Sequence, residues 1–325
     1  MKIALLHRYP SDEIKPTNAA FPYLKAKGID VLTFKDFSRL DKNSNFWKSL
    51  LWVIYAPMLV VGKKYDVIYC DDSYPFYPAL VKIFSPRSRV VLRIGDMHLM
   101  YYYTGLVYKV LHFLERISWL LADEIIVISE TMADYFEQEI GKRPKVVLDP
   151  VDPKDFQIKD ERHENMVMFH GTLTRNKNVD ILLNAATCLP ELDFVIVGDG
   201  PDFKRLAYKA PANVFFYGWV PFKDIKRHIT SCTIGFALRS NNPGNEYVVT
   251  SPFLQYGIMG KPCLVTRRKV FGDYEWQFST LYEMVEKIKY LIAHPEEGRK
   301  LKQFVIDNHS AEKIAGEIWQ ILTQV

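Results

Sequence analysis

Short apolar runs rich in β-branched residues alternate with segments of helical periodicity along the whole chain. In the first half, five such runs are predicted as strands, at 2–7, 30–34, 66–70, 89–94 and 124–129. Their hydrophobicity is continuous rather than alternating, which is typical of strands covered on both faces. The pattern therefore predicts an α/β fold with a parallel sheet flanked by helices.

The second half repeats this alternation after a break. Five more strands are predicted at 166–170, 193–198, 214–218, 233–238 and 262–266, and from residue 280 onwards the pattern is helical only. Between the halves, residues 143–165 carry three prolines and a charge run, which is typical of a linker between domains. We expect two domains, 1–155 and 156–310, and a C-terminal helix, 311–325, that is free to pack back on the first domain.

Two helical segments of the first half are unusually apolar. Leu50–Gly62 lies between lysines and is shorter than the roughly 20 residues of a membrane-spanning helix. We interpret it as a buried helix, with a helix lying on a membrane surface as the alternative. The aromatic-rich segment Tyr101–Leu121 predicts a helix whose apolar stripe joins the core. If these helices instead lie on a membrane surface, both segments place the first domain on a bilayer.

Composition narrows the class of protein. The 325 residues are 48% hydrophobic and 25% charged, with a net charge of +4, as in an ordinary soluble globular protein. No basic segment stands out, so we expect no nucleic-acid partner. The four cysteines lie far apart without metal-ligand spacing, which predicts no metal site and suits a reducing cytoplasm. The first apolar run, Ile3–Leu6, is too short for a signal peptide.

The loops that follow strands carry the candidate chemistry, because ligands of parallel sheets bind outside the carboxyl ends of the strands. The loop after strand 166–170 offers Gly171, Arg175 and Lys177 in front of a helix. A glycine permits close approach of backbone amides, and a helix N-terminus favours an anion, so the loop has the chemistry of a phosphate site. A solvated polar loop is the alternative.

Two further loops support an anionic ligand. Gly198 and Gly200 follow strand 193–198, but Phe203 stands where a dinucleotide fingerprint needs its third glycine, which excludes an NAD site. Farther along, Thr250-Ser251-Pro252 predicts a helix start with Ser251 as cap, Pro252 as first helical residue and free amides directed at a ligand. Gln255 lies one turn into that helix, on the side of Ser251.

Residues 165–266 resemble the C-terminal domain of GT-B-fold glycosyltransferases of family 4. The resemblance rests on HGTLTRNKN, FVIVGDGPDF, FYGWVPFKD and TSPFLQYGIMGKPCLV, and in the first half on ADEIIVISETMADYF. It implies two Rossmann-like domains whose parallel sheets face a central cleft. The first domain then binds the acceptor and the second a nucleotide-sugar donor.

The resemblance also implies the donor site. Lys177 matches the family lysine for the donor diphosphate, whereas Thr172 replaces the family arginine and Arg175 is the candidate substitute. The family's first glutamate corresponds to Glu246 or Tyr247, and its second is here Gln255. The implied donor-binding residues are Gly171, Thr172, Arg175, Lys177, Gly198, Trp219, Val220, Thr250, Ser251 and Gln255.

Catalysis is implied for Lys177, for Glu246 and, on the acceptor side, for Asp96 or His98 in the loop after strand 89–94. The family activity is transfer of a hexose from a nucleoside diphosphate sugar to a hydroxyl, with retention of anomeric configuration and without a metal ion or another cofactor. The expected acceptor is a glycan or a lipid-linked sugar, and the expected location is the cytoplasm, in solution or at a membrane.

Two other readings of the sequence stay open. Thr172 and Gln255 stand where the family has charged residues, which favours a non-catalytic sugar- or nucleotide-binding protein. A GT-B relative that epimerises or phosphorylates sugars is the second alternative.

Overall fold

The computed structural model describes residues 1–8, 18–33, 45–71, 76–158 and 165–324, with only the backbone for 45–50. The chain divides into two compact units, 1–149 together with 312–325, and 150–311. The division at Asp149 lies six residues before the boundary expected from the linker composition. Part of that linker, 159–164, lies outside the described residues.

The first unit contains a six-stranded parallel sheet in the order β2-β1-β3-β4-β5-β6. Its strands are β1 (Ile3–His7), β2 (Asp30–Thr33), β3 (Val67–Asp71), β4 (Arg89–Ile94), β5 (Glu124–Val127) and β6 (Lys145–Val146). The five strands predicted from the apolar runs are confirmed. The edge strand β6 was missed because its two residues are too few to form a pattern.

Helices connect these strands: α1 (Phe21–Ala26), α2 (Asn45–Met58), α3 (Tyr77–Phe84), α4 (His98–Tyr102), α5 (Gly105–Leu121) and α6 (Glu130–Ile140). Helix α6 begins where the backbone amide of Met132 donates to Ser129 Oγ at 3.1 Å, and it ends at Gly141 with φ +70°. The single helix predicted over 101–121 is broken, since Tyr103 and Thr104 are extended and Gly105 has φ +62°.

The apolar helices of the first unit are less buried than the sequence predicted. Helix α2 buries Trp52 and Ala56 but leaves Ile54 60% exposed. In α5 only Ser118 and Trp119 are buried, and Phe113 is 63% exposed. The prediction that the aromatic stripe of 101–121 joins the core is therefore wrong for most of its length. Within the described residues, no helix has both the length and the hydrophobicity of a membrane span.

The second unit contains another six-stranded parallel sheet, in the order β12-β11-β10-β7-β8-β9. Its strands are β7 (Met166–His170), β8 (Asp193–Val197), β9 (Val214–Gly218), β10 (Ile234–Ala237), β11 (Cys263–Thr266) and β12 (Gln277–Phe278). The five strands predicted here are confirmed, and only the short edge strand β12 was missed. Because β8 and β10 flank β7, the loops after these three strands are neighbours.

Its helices are α7 (Asp180–Cys188), α8 (Phe203–Lys209), α9 (Phe222–Ser231), α10 (Ser251–Ile258), α11 (Leu281–Ala293) and α12 (Gly298–His309). Apolar side chains fill both faces of the sheet, with Phe169, Phe194 and Phe236 in one core cluster and Tyr256 in the other. The last helix, α13 (Ala311–Thr323), contributes Ile314 to the core cluster of the first unit.

Helix α10 lies directly on the sheet of the second unit. A side chain at Gly235 in β10 would place its Cβ 2.2 Å from the ring of Tyr256, so only glycine fits. The same Tyr256 donates its hydroxyl hydrogen to the carbonyl oxygen of Met168 in β7, at 2.9 Å. One tyrosine therefore fixes α10 to two adjacent strands.

We predict that Gly235→Ala lowers the free energy of unfolding by about 3 kcal/mol, because overpacking forces α10 off the sheet. Gly316→Ala in α13 is the matched control, since its Cβ meets nothing within 4 Å. That substitution should raise stability by about 0.5–1 kcal/mol, because alanine is the better helix former. Urea denaturation of both variants measures the difference, and equal midpoints would contradict the packing described here.

Candidate functional site

Two glycine-containing loops of the second unit touch through their backbones. The β7 loop is residues 171–178, and the β8 loop is residues 198–202. A Cβ on Gly198, which has φ +143°, would lie 1.9 Å from the carbonyl oxygen of Gly171. The backbone amide of Gly171 donates to the carbonyl oxygen of Val197 at 3.0 Å, and that of Leu173 to the carbonyl oxygen of Asp199 at 2.9 Å. The β8 loop thus supports the β7 loop from one side.

Asn176 ties the other side of the β7 loop to the β10 loop, residues 238–250. Its Oδ1 accepts hydrogen bonds from Ser240 Oγ at 2.8 Å and from Asn245 Nδ2 at 2.9 Å. Its carbonyl oxygen accepts from the backbone amide of Ser240 at 2.8 Å. Asn245 is buried, so these hydrogen bonds anchor Asn176 to the interior of the unit. They thereby fix the backbone that carries its neighbour, the half-buried Lys177. Sequence reasoning missed Asn176 and Asn245, since nothing in a polar loop marks which amide faces inwards.

Two further polar residues of the β7 loop face solvent. Thr172 and Arg175 are exposed, and Arg175 to Lys177 form a 3-10 turn that ends at Asn178 with φ +50°. The loop therefore presents a hydroxyl and two cationic side chains on a short, backbone-anchored turn. This arrangement suits an oxyanion.

His170, the last residue of β7, is buried beneath this loop. Burial, together with the positive charges of Lys177 and His228, lowers the pKa of its imidazole to about 3. Its ring packs on Tyr256 at a centroid distance of 5.0 Å, and its Nε2 has no hydrogen-bond partner among the described residues. The side chain is therefore neutral at physiological pH.

Two buried polar atoms, one at the cap of helix α10 and one within it, have no hydrogen-bond partner in the part of the chain that the structure describes. Thr250 and Gln255 are each 3% exposed, and Thr250 Oγ1 and Gln255 Oε1 accept or donate no hydrogen bond there. Buried polar atoms in native proteins are nearly always satisfied by protein, water or ligand. The two side chains therefore mark a place where a polar ligand or ordered water completes the site.

The start of α10 differs from the prediction by one residue. Thr250, with an extended backbone, occupies the cap position, Ser251 is the first helical residue and Pro252 the second. The expectation that Ser251 is the cap is wrong. Thr250 provides no side-chain cap, Pro252 has no N–H, and the amide of Phe253 donates to the carbonyl oxygen of Thr250 at 3.0 Å. What this end offers to an anion is therefore the amide of Ser251 and the positive end of the helix dipole.

The carboxylate of Glu246 is held by the β11 loop, residues 267–276. Glu246 Oε2 accepts a hydrogen bond from the backbone amide of Lys269 at 2.9 Å, and Oε1 lies 3.7 Å from Arg268 Nε. Tyr247, the other candidate for the family glutamate, follows at the end of the same 3-10 turn.

Trp219 and Val220 follow β9 beside the β8 loop. Trp219 is 72% exposed and Val220 is half-buried. The backbone amide of Gly198 donates to the carbonyl oxygen of Gly218 at 2.7 Å, which places Trp219 next to the β8 loop. A cavity of about 470 Å³ opens here, lined by Asp199, Gly200, Pro201, Phe203, Lys204 and Gly218. An exposed indole at a cavity edge is suited to stacking on a planar ring.

In the first unit, Asp96 and His98 lie together after β4. Asp96 Oδ1 accepts from the backbone amide of Met97 at 2.8 Å, and His98 Nδ1 lies 3.8 Å from Asp96 Oδ2. Both side chains are about one-third exposed, and His98 stacks on Tyr102. A carboxylate and an imidazole in this arrangement are able to orient a hydroxyl group.

A buried charge cluster lies at the same edge of the first sheet, and the sequence analysis missed it. Arg93 in β4 pairs with Asp71 of β3 at 3.0 Å and with Asp149 at 2.5 Å, and the imidazole Nδ1 of His7 lies 3.0 Å from the carbonyl oxygen of Asp71. Burial alone raises the pKa of Asp71, but Arg93 and His7 outweigh it and the pKa is lowered. Burial raises the pKa of Asp149. The signal in the sequence was a single arginine inside an apolar strand.

His170 generates a pH-dependence prediction. Below its ordinary pKa of 6.5 the unfolded chain binds a proton at this position, whereas the folded chain does not until about pH 3. Stability therefore falls as pH falls through this window, and at pH 5 the contribution amounts to about 2 kcal/mol. His170→Gln should lose about 2 kcal/mol less than the parent between pH 7 and pH 5 in urea denaturation. Parallel pH profiles for the two proteins would contradict the neutral buried imidazole.

Comparison of the sequence with known proteins agrees with this geometry. Residues 151–278 match the family described as "Glycosyl transferases group 1". Over 109 residues the chain is 35% identical to the "GalNAc-alpha-(1->4)-GalNAc-alpha-(1->3)-diNAcBac-PP-undecaprenol alpha-1,4-N-acetyl-D-galactosaminyltransferase" of Campylobacter jejuni. This match covers 31% of the chain and spans only 30% of that relative's length.

Similarity to solved structures extends over the whole chain. HepE of Anabaena, solved in complex with UDP and glucose, superposes with a TM-score of 0.72 at 16% identity over 100% of both chains. Sucrose-phosphate synthase of Thermosynechococcus elongatus gives 0.76 at 13% identity, covering 98% of each. A glycosyltransferase of Rickettsia africae gives 0.73 at 13% identity, covering 99% of this chain and 97% of that one. The chain thus has the GT-B fold, and its second unit contains the segment that matches the group 1 glycosyltransferases.

Proposed function

We propose that this protein is a retaining glycosyltransferase that moves a hexose from a nucleoside diphosphate sugar to a hydroxyl acceptor. The observation that carries the proposal is the pair of buried polar atoms, Thr250 Oγ1 and Gln255 Oε1, that lack partners in the described chain. Thr250 is the cap of α10 and Gln255 lies within it, next to the Tyr256 that bonds to Met168 of β7. An amide oxygen accepts hydrogen bonds from ribose hydroxyls, and a threonine hydroxyl donates to a phosphate oxygen.

The donor diphosphate is assigned to the β7 loop and the start of α10. Lys177 and Arg175 supply positive charge, Thr172 a hydroxyl, and the amides near Ser251 the positive end of a helix dipole. The glycine contact between Gly171 and Gly198 permits close approach of the phosphates to the backbone. The complex of HepE with UDP and glucose supports this class of donor.

The nucleoside base is assigned to the end of β9. Trp219 is free to stack on the base, and the backbone at Val220 to hydrogen bond with its edge. Gln255 faces the ribose in this assignment. The cavity beside the β8 loop is large enough for a nucleoside.

Acceptor binding is assigned to the first unit, with a glycan or a lipid-linked sugar as acceptor. Asp96 or His98 orients the attacking hydroxyl or stabilises the positive charge that develops on the donor sugar. In front-face transfer the leaving phosphate oxygen takes the acceptor proton, so the protein contributes positioning and charge stabilisation. Lys177 and the start of α10 stabilise the negative charge of the leaving diphosphate, and Glu246 lies near the donor sugar. Because these groups supply the charge stabilisation, the proposal includes no metal ion or other cofactor.

We predict that Lys177→Ala lowers turnover by about 10²-fold or more, because a preorganised charge donor to the leaving group is lost. Wild-type protein is first screened for thermal stabilisation by UDP, GDP, ADP, dTDP and CMP. A nucleotide at a hundred times its Kd stabilises by about 2.7 kcal/mol, and the variant should lose most of this stabilisation.

Lys302→Ala is the control for this prediction, because Lys302 is exposed on α12, away from the β7 loop. It should retain both nucleotide stabilisation and turnover. Nucleotide binding without any transfer or donor hydrolysis would contradict the enzyme assignment and favour a sugar-nucleotide-binding protein. Unchanged turnover in the Lys177 variant would contradict the assigned phosphate site.

We further propose that the first unit contacts an anionic membrane in the cytoplasm. Helix α3 packs against both α2 and α5. The α2–α5 surface is defined by exposed apolar residues of these helices and of the turn after α2: Leu51, Ile54, Tyr55, Met58, Val61, Ile83, Phe84, Leu106, Val107, Val110, Phe113 and Leu120. Lys63, Lys64 and Lys109 lie beside them. An apolar surface of this extent with a basic rim is typical of interfacial binding.

Flotation with liposomes tests the membrane contact. Wild-type protein should float with phosphatidylglycerol vesicles and less with phosphatidylcholine vesicles. The double variant Leu106→Glu, Phe113→Glu should reduce binding about tenfold or more, because two inserting side chains are lost. Tyr208→Glu is the control, since Tyr208 is 90% exposed on α8 of the second unit. Equal flotation of the double variant and the control would remove the proposed surface.

A further inference from the structure

A second cavity, with a polar lining, lies at one end of the sheet in the second unit, and none of the predicted donor residues lines it. It opens at the carboxyl ends of β10, β11 and β12 and has a volume of about 520 Å³. Its lining residues are Asn178, Ile181, Arg239, Ser240, Asn241, Thr266, Arg267, Arg268, Phe278 and Ser279. None of the ten predicted donor-binding residues is among them. We call this cavity the arginine pocket.

The lining of the arginine pocket is strongly positive. Arg239, Arg267 and Arg268 contribute three positive charges, and no carboxylate is among the lining residues. Outside the lining, Glu246 Oε1 lies 3.7 Å from Arg268 Nε, and Glu283 Oε2 accepts a hydrogen bond from the backbone amide of Ser279 at 2.8 Å. Burial lowers the pKa of Arg268, and Glu246 offsets this only in part. The pocket therefore carries positive charge that its own residues do not neutralise.

Arg268 is the structural member of the three arginines. Its side chain is 9% exposed, and its Nη2 donates to the carbonyl oxygens of Arg239 at 3.1 Å and of Ser240 at 2.6 Å. It also donates to Asn241 Oδ1 at 3.1 Å. Arg268 thus clamps the β10 loop against the β11 loop and gives the pocket a rigid wall.

Arg239 and Arg267 leave donors available to a ligand. The guanidinium of Arg239 makes no hydrogen bond within the described chain, and its Nε is buried. Its backbone amide is held by Thr266 Oγ1 at 2.9 Å, so the residue itself is well anchored. Among the described residues, the guanidinium of Arg267 makes one hydrogen bond, from its Nε to Ser279 Oγ at 3.0 Å. A buried, unpartnered guanidinium nitrogen in a polar cavity is costly unless an anion or water meets it.

We propose that the arginine pocket binds the phosphate group of a small molecule other than the donor nucleotide. Guanidinium groups match the geometry of phosphate oxygens through paired hydrogen bonds, and three of them suit a multiply charged group better than a single carboxylate. The volume lies in the range of small-molecule sites, so the pocket holds more than an isolated ion. This inference goes beyond the proposed transferase activity and does not rest on it.

The pocket is mechanically connected to the β7 loop. Asn178 ends that loop and lines the pocket, and Ser240 lines the pocket while bonding Asn176 through its hydroxyl and its backbone amide. A phosphate in the arginine pocket therefore contacts the same loops that position Lys177. It is placed either to bind a phosphorylated part of a substrate or to act as an effector of the β7 loop.

The test uses inorganic pyrophosphate and the full chain at low salt. Because pyrophosphate also binds the proposed donor site, the experiment is done in Lys177→Ala protein, and binding is measured by calorimetry. Binding should persist in Lys177→Ala, and adding Arg239→Gln or Arg267→Gln should raise Kd about tenfold or more, as expected for loss of a charged donor. Arg299→Gln is the control, because Arg299 is exposed on α12 outside the pocket.

Two comparisons separate this inference from the proposed function. Nucleotides should stabilise the Arg267→Gln variant as much as they stabilise the wild type. If nucleotides do not bind the wild type at all, that result contradicts the proposed donor site and leaves the arginine pocket unaffected. Arg267 is exposed, so this variant folds even if Arg239→Gln does not. Loss of all pyrophosphate binding in Lys177→Ala, no effect of the arginine substitutions, or tighter binding of glucuronate than of pyrophosphate would each overturn the phosphate assignment.

Discussion

The second unit depends on the contact between Tyr256 and Gly235. The ring lies so close to the strand that no side chain fits there, and the hydroxyl of the same tyrosine bonds to Met168. Helix α10 is therefore fixed to β10 and β7 at once. The packing of α10 on these two strands determines the position of its N-terminus and of the buried side chains of Thr250 and Gln255.

Backbone contacts also fix the loops that follow β7, β8 and β10. Gly198 rests on Gly171 without intervening side chains, and Asn176 joins the β7 loop to the β10 loop. Such a support reduces the entropy lost when a ligand is ordered, since the polar groups are already in place. Lys177 thus stands on a turn held from both sides, although its own side chain is only half-buried.

Charged groups are unevenly distributed at the carboxyl ends of the strands in both sheets. In the first unit two buried carboxylates share one guanidinium, at Asp71, Arg93 and Asp149. In the second unit three guanidiniums line the arginine pocket, and the carboxylates of Glu246 and Glu283 lie beside it. Removing a charged group from water is unfavourable, so buried charges are retained where they bind a ligand or fix the orientation of another group. The carboxyl ends of the strands are where such groups meet.

The sequence by itself determined ten of the twelve strands and the α/β class, because each is encoded in a local pattern of apolar runs. It also predicted phosphate binding for the loops after β7 and β8 and for the start of α10. Only the tertiary structure decided which polar side chains in those loops face inwards, how far α2 and α5 are covered, and which arginines converge. Periodicity shows that a helix has an apolar face, but exposure and charge balance depend on neighbours that are distant in sequence.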